Sequence, residues 1–200
     1  MKKRINSKII FASILLVTSV MIYPIKLKEM RTKTIKNDLA IKYYIEKTTD
    51  ELKEEKPIKQ IKEKAYDYIA ILEIPSINLK QGLVSKYSKY NDVKYNIQIL
   101  SRNMPDKERT NFILASHNGS SSVSYFNNLS KMHKNDIINI YYNGIKYIYK
   151  YYHSYEVLKT GEINIERDKT ISTITLITCK ENDDNHQVVY LGYLINTETY

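Results

Sequence analysis

The 200-residue sequence contains one cysteine and no tryptophan, together with only five glycines and four prolines. The single Cys179 excludes an intramolecular disulfide, so a folded domain must be stabilised by its hydrophobic core. The spacing typical of a zinc site is also missing, because Cys179 and His186 alone do not make one, and we predict no metal site. A lone cysteine is most often an inert buried residue, so its neighbours must decide whether it reacts.

Basic residues are in excess, and their distribution argues against nucleic-acid binding. The formal net charge is +9. Residues 1–66 hold 16 Lys and Arg against 8 Asp and Glu, a net of +8, whereas residues 67–200 hold 15 against 14, a net of +1. A nucleic-acid-binding domain would carry the basic excess itself. An excess at the N-terminus is instead expected from membrane topology and from attraction to an anionic surface.

Residues 1–25 have the pattern of a membrane anchor. Residues 2–8 include four basic residues and no acid, and the 17 residues of Ile9–Ile25 carry no charge. At about 1.5 Å rise per residue, this run just spans a bilayer core. The basic flank is expected to stay in the cytoplasm, with the rest of the chain outside the cell. Val17-Thr18-Ser19 resembles a weak signal-peptide cleavage site, but the apolar run continues beyond it, so we favour an uncleaved transmembrane helix.

Residues 26–65 are predicted to form a helical stalk. They are rich in Lys and Glu, with scattered apolar residues, and Pro57 would interrupt a long helix. A solvated stalk that holds the next domain away from the membrane is favoured. A helix docked against that domain is the alternative.

Residues 66–200 are predicted to form one all-β domain. Short runs with strand patterning recur and are separated by turn residues. Asn143-Gly144 between two apolar runs is a strong hairpin signal. Such a pattern favours a barrel or a sandwich, with a short helix at Ser122–Leu129. The predicted strands are Tyr68–Ile74, Leu79–Val84, Asn111–Ser116, Asp136–Tyr142, Ile145–Tyr152, Ile171–Thr178 and Val188–Ile195.

Two residues at predicted strand ends have the chemistry of nucleophilic catalysis. Cys179 ends an apolar strand and precedes the polar run Lys180–His186, so its sulfur is expected to be accessible while the sheet holds its backbone. His117 likewise ends the strand that begins at Asn111. An imidazole beside a thiol can take its proton and later protonate a leaving amine. Spacing alone favours His117 only modestly over His133, His153 and His186.

Three segments resemble the sortase family. Thr175-Leu-Ile-Thr-Cys179 is similar to the TLxTC signature of sortases, Leu114-Ala-Ser-His117-Asn-Gly119 resembles their catalytic-histidine segment, and Ile71–Ile77 looks like their first strand. The order of anchor, stalk, His and Cys also matches. The resemblance implies a closed eight-stranded β-barrel with short helices over residues 66–200.

The resemblance also implies an activity. Sortases are cysteine transpeptidases, so Cys179 would cleave a sorting motif in a secreted protein and form a thioester. An amine of a peptidoglycan precursor or of a pilin subunit would then resolve it. No metal or organic cofactor is implied, although some sortases bind calcium.

One departure from the family concerns the arginine that sortases place early in their last strand. Gln187 or His186 stands there, and Gln187 is favoured because it aligns the strand without a gap. Gln187 can donate a hydrogen bond but carries no charge. The Thr178 hydroxyl is expected to help bind the oxyanion. The nearest arginines, Arg102, Arg109 and Arg167, are interpreted as surface residues.

Three functions follow from these observations. An active, membrane-anchored sortase is the leading hypothesis. A sortase-fold scaffold or binding module that has lost turnover is the alternative, and the missing arginine favours it. Another extracytoplasmic cysteine transpeptidase or peptidase ranks last, because hydrolases of the papain type have a helix-borne cysteine that precedes its histidine.

Overall fold

The computed structural model describes residues 7–51 and 67–200, which form one helix, eight strands and two short 3-10 turns. Their contacts divide the chain into two compact units, Met1–Asp38 and Leu39–Tyr200. The helix, α1, runs from Ser7 to Glu51. The strands are β1 (Tyr68–Ile74), β2 (Leu79–Val84), β3 (Gln98–Ile99), β4 (Asn111–Ala115), β5 (Ile137–Tyr142), β6 (Ile145–Leu158), β7 (Thr173–Lys180) and β8 (Asp183–Thr199), and the 3-10 turns are Pro75–Ile77 and Leu129–Lys131.

The N-terminal part of α1 overlaps the predicted membrane anchor, residues 1–25. Within the described residues, none of the helical segments is both long enough and apolar enough to cross a bilayer. The transmembrane helix predicted within residues 1–25 is therefore not confirmed, and most of that stretch lies outside the residues whose side chains are described.

The eight strands form one sheet in the order β2-β1-β5-β6-β8-β7-β4-β3. The terminal strands β2 and β3 contact each other, which brings the two edges of the sheet together. The sheet is therefore a nearly closed barrel rather than the fully closed one expected. All strand pairs are antiparallel except β4 and β7, which run parallel.

The barrel encloses one hydrophobic core. Its largest side chains are less than 2% exposed, and they come from β1, β2, β4, β5 and β6 as well as from the loops. Residues 173–178 of β7 are all buried, which agrees with the position of this strand between β4 and β8. Strands covered on both faces read as continuous apolar or Thr-rich runs rather than as alternating ones. The fully buried core residues include Leu72, Ile74, Leu83, Phe112, Leu114, Phe126, Leu129, Ile140 and Tyr149.

The predicted β5–β6 hairpin is confirmed. Asn143 and Gly144 connect the two strands, and both have positive φ, 50° and 73°. A two-residue turn with positive φ at both positions matches the twist of the strands it joins, and Asn and Gly adopt this conformation at little cost.

The structure differs from the expected secondary structure at three places. The helix expected at Ser122–Leu129 is a series of turns before the 3-10 turn at Leu129–Lys131. Serine hydroxyls compete with helical hydrogen bonds, and here the Ser121 and Ser124 hydroxyls bond each other at 2.8 Å. The polar run after Cys179 is mostly strand, because β8 begins at Asp183 after a tight turn in which Asn182 has φ 57°. The two-residue β3 was too short for the pattern to reveal.

The C-terminal part of α1 packs against the barrel within the second unit. Ala40, Ile41 and Tyr44 are buried in a cluster with Ile71 of β1 and Val84 of β2. The Tyr44 hydroxyl accepts a hydrogen bond from the backbone N–H of Asn143 at 3.3 Å. Burial raises the pKa of Tyr44 well above its usual value, so this phenol stays protonated. Residues 39–48 therefore match the alternative of a helix docked against the barrel domain. The predicted start of that domain at residue 66 stays a prediction.

We expect Ile41→Ala to destabilise the folded chain by about 2–4 kcal/mol, because it leaves a cavity between α1 and the barrel. Leu39→Ala is the matched control, since Leu39 is 62% exposed and Ile41 only 5%. Urea unfolding of both variants measures the difference. Equal losses, or none at Ile41, would show that α1 does not stabilise the barrel.

Candidate active site

The parallel pair of β4 and β7 aligns the two segments that carry the predicted catalytic residues. The register runs from Asn111 opposite Thr173 to Ala115 opposite Ile177. The Asn111 side-chain oxygen accepts hydrogen bonds from the hydroxyls of Thr173 and Thr175, at 3.1 and 2.8 Å. Buried side-chain bonds of this kind fix the register, because a slipped strand would leave these polar groups unsatisfied.

His117 and Cys179 lie at the same end of these adjacent strands. Each is two residues beyond the last registered pair, Ala115 and Ile177. The backbone pairing continues past that point, since the N–H of Ser116 donates to the Ile177 carbonyl at 3.2 Å. The structure thus brings the His117 segment beside Cys179, although the two residues are 62 positions apart in the sequence.

Gln187 lies directly across from Cys179. The antiparallel β7–β8 register pairs Cys179 with Gln187, and the β6–β8 register pairs Gln187 with Val157. Directly paired residues present their side chains on the same face of a sheet. The Gln187 amide is therefore on the face that carries the Cys179 thiol.

His186 and Thr178 have other partners. His186 Nδ1 lies 2.8 Å from Asp183 Oδ2, and alternation along β8 directs its side chain to the face opposite that of Gln187. Thr178 is only 3% exposed, and its hydroxyl donates to the Ser116 carbonyl at 2.9 Å. The hydroxyl that the sequence assigned to the oxyanion thus ties β7 to the backbone that leads into His117.

A cleft of about 470 Å³ opens beside Cys179. Its walls combine tyrosines and apolar side chains with charged groups at the rim. Cys179 is half-buried, so its position combines a fixed backbone with access to solvent. The lining residues are Asn118, Ser130, Met132, Tyr151, Ser154, Tyr155, Glu156, Cys179, Lys180, Glu181, Val188 and Tyr190.

The charged groups next to Cys179 are largely paired. Lys180 Nζ lies 2.8 Å from Glu156 and 3.8 Å from Asp183. The hydrogen bond to the Glu156 carboxylate raises the pKa of Lys180. The Asn185 backbone N–H, together with His186 and Lys180, lowers the pKa of Asp183. Lys180 and Asp183 therefore keep their charges at neutral pH, and the single positive charge of Lys180 is shared between two carboxylates.

Two residues that the sequence did not single out contact Cys179. The Asn118 side-chain amide donates to the Cys179 carbonyl at 3.3 Å, which joins the end of β7 to the residue after His117. Lys159 Nζ lies 3.9 Å from Cys179 Sγ. Asn118 follows the histidine in its motif and was therefore within reach of a sequence argument. Lys159 carried no local signal, because only the β6–β8 register brings it near the thiol.

The Arg167 side chain binds backbone carbonyls. Its guanidinium donates to the carbonyls of Asp168, Ile171 and Arg109, at 3.1–3.2 Å. These bonds tie the segment between β6 and β7 to the turn before β4. The interpretation of Arg167 as an ordinary surface residue stays a prediction.

Among the side chains that the structure describes, no group of three or more His, Cys, Asp or Glu residues could hold a metal ion. Two acidic side chains near Cys179, Glu156 and Asp183, are used in ion pairs with Lys180 and His186.

Comparisons with known proteins identify the family of this chain. A family model described as "Sortase domain" matches residues 72–195, and no curated protein gives a significant match. Listeria monocytogenes sortase A has a similar structure, with a TM-score of 0.57 and 21% identity over 66% of this chain and 90% of that one. The Clostridium perfringens sortase D5 transpeptidase gives a TM-score of 0.58 and 19% identity over 82% and 98% of the two chains.

A third similar structure is Streptococcus pneumoniae sortase C, with a TM-score of 0.56 and 22% identity over 68% of this chain and 73% of that one. Identities at this level show the shared barrel, whereas the family model covers more than half of the chain and includes both His117 and Cys179. The chain belongs to the sortase family.

Proposed function

We propose that this chain is a cysteine transpeptidase in which Cys179 is the nucleophile, His117 the general acid and base, and Gln187 an oxyanion donor. The observation that carries the proposal is the strand register, which pairs Cys179 with Gln187 and ends β4 beside β7 two residues before His117. Nucleophilic acyl transfer needs a thiol, a proton carrier and a hydrogen-bond donor within one small volume. Membership of a family whose members are generally transpeptidases supports the same chemistry.

The proposed reaction has two halves. His117 takes the proton of the Cys179 thiol, and the thiolate attacks a backbone carbonyl of the substrate. The Gln187 amide donates to the oxygen that becomes negative. When the C–N bond breaks, His117 protonates the leaving amine and a thioester remains. An acceptor amine then attacks the thioester and gives its proton to His117, the C–S bond breaks, and His117 returns the proton to the sulfur of Cys179.

The substrate and the location are proposed from the family and from the sequence. The acyl donor would be a sorting-motif-bearing secreted protein, and the acceptor an amine of a peptidoglycan precursor or of a pilin. A similar solved structure, that of S. pneumoniae sortase C, is described in terms of pilin substrate specificity. The basic flank and uncharged run of residues 1–25 are the grounds for placing the catalytic domain outside the cell.

A scaffold or binding role is the second candidate. Gln187 supports it, because the residue opposite the thiol can donate a hydrogen bond but carries no positive charge. The two candidates differ in whether Cys179 turns over.

Cys179→Ala should abolish the covalent intermediate, because no other residue of the chain is a thiol. The full chain and this variant would be incubated with a library of sorting-motif peptides plus hydroxylamine or oligoglycine. Mass spectrometry of enzyme and products measures thioester formation and amine capture. An intermediate that persists in the variant would refute the assignment. A folded wild type with a reactive thiol but no turnover would favour the scaffold role.

His117→Ala should lower turnover by about 10²–10⁴-fold, the usual contribution of a general acid and base. His133→Ala is the matched control, because His133 is exposed in a turn before β5. Steady-state rates with the same peptide measure both. An unchanged rate in His117→Ala would move the proton-transfer role to another residue.

Gln187→Ala should reduce kcat by roughly 10²-fold, in the range of a lost oxyanion donor. His186→Ala should cost less, since its imidazole is bound to Asp183. Gln187→Arg should raise activity if a charge at this position assists the reaction. A greater loss in His186→Ala would show that His186 occupies the functional register.

A further inference from the structure

Lys159 lies in the segment that follows β6, and its ammonium group lies near the thiol of Cys179. Its Nζ is 3.9 Å from Cys179 Sγ, within hydrogen-bonding distance for sulfur. An ammonium group at this distance donates readily to a thiolate and much less favourably to a neutral thiol.

The backbone at Lys159 is fixed by β8. The Lys159 N–H donates to the Asn185 carbonyl at 2.8 Å, which extends the β6–β8 ladder beyond its last pair, Leu158 and His186. Alternation along the strand then puts the Lys159 side chain on the same face as Val157. Val157 pairs with Gln187, and Gln187 pairs with Cys179. The register therefore directs Lys159 toward the face that carries the thiol.

Other titratable groups surround Cys179. Lys180 is paired with Glu156 and Asp183, and His186 is paired with the same Asp183. Burial raises the pKa of Tyr190 to about 12, so this phenol is neutral at working pH. The titratable groups that line the cleft with Cys179 are Tyr151, Tyr155 and Glu156 on β6, Lys180 on β7, Glu181 in the turn and Tyr190 on β8. Outside that lining, Asp183 pairs with Lys180 and His186, and His117 follows β4.

We propose that Lys159 is a further catalytic residue, which holds the thiolate of Cys179 by a charge-assisted hydrogen bond and supplies the positive charge that Gln187 lacks. The role in turnover rests on the proposed function, whereas the stabilisation of the thiolate is a property of the resting protein. His117 accepts the thiol proton, and Lys159 keeps its own proton throughout. In this arrangement, the positive charge beside the thiolate comes from the end of β6 rather than from β8.

The test measures alkylation of Cys179 by iodoacetamide as a function of pH, followed by mass spectrometry of the full-length chain. Cys179 is the single cysteine, so the signal has one source. In Lys159→Met, the pH midpoint of alkylation should rise by roughly half a unit and the rate at pH 7 should fall about threefold, because an exposed charge pair is worth little more. Lys159→Arg should retain the wild-type profile.

Two controls separate this role from a general change of charge or fold. Lys169→Met removes the same charge from the exposed part of the segment between β6 and β7 and should leave the profile unchanged. Raising the salt concentration should slow alkylation of the wild type and of Lys169→Met, but not of Lys159→Met, because salt screens exposed charges. If Lys159→Met does not fold, the comparison of wild type with Lys159→Arg and its salt dependence still decides.

Coincident pH profiles for wild type, Lys159→Met and Lys169→Met would overturn the proposal, as would a wild-type rate that salt does not change. This outcome is independent of the proposed function, since alkylation needs no peptide substrate. A chain that shows the Lys159-dependent shift but no turnover would uphold the thiolate contact and refute the transpeptidase. Turnover that is equal in wild type and Lys159→Met would restrict Lys159 to the resting protein and overturn its catalytic role.

Discussion

The parallel pairing of β4 with β7 is the constraint on which the site depends. Strands that run parallel end at the same edge of a sheet, so the residues that follow them meet there. The bonds from Thr173 and Thr175 to Asn111 fix the register of this pair, and the bond from Thr178 to Ser116 extends it to the segment of His117. Because these groups are buried, a slip of one residue would leave several polar atoms unsatisfied at a cost of about 1–3 kcal/mol each.

The two threonines of the motif Thr175–Cys179 thus have a structural role, which differs from a catalytic one. Thr175 is fully buried and Thr178 nearly so, and both hydroxyls donate within the sheet. Their role is to hold the Cys179 backbone, while the thiol stays half-buried beside an open cleft. A rigid support with an accessible reactive atom is the general requirement for a catalytic nucleophile. The same sheet brings Gln187 and Lys159 to the thiol from the other side, through β8 and the end of β6.

Electrostatics around the thiol follow from this arrangement. The positive charge of Lys180 is engaged by the carboxylates of Glu156 and Asp183. Lys159 Nζ lies 3.9 Å from Cys179 Sγ, and His117 follows β4 on the other side of β7. Gln187 on β8 offers only a neutral amide to the thiol. In the proposed role, Lys159 supplies the positive charge from the end of β6. The effect of a positive charge on the Cys179 thiolate depends on its distance from the sulfur, and not on the strand that carries it.

The number and order of most strands, the Asn143-Gly144 hairpin and the all-β class could be predicted from the sequence alone, because alternation and turn chemistry are local. The closed barrel was implied only by the resemblance to sortases. The sequence also pointed to Cys179 and His117 through motifs at strand ends. The tertiary structure decided what depends on strand register: Gln187 opposite the thiol, Thr178 turned to Ser116, and Lys159 at Sγ. It also decided that residues 39–48 of α1 pack on the barrel, since sequence patterning cannot distinguish a solvated helix from a docked one when its apolar face is narrow. Long-range pairing has no local signature, so residues 20 or more positions apart meet only once the sheet is assembled.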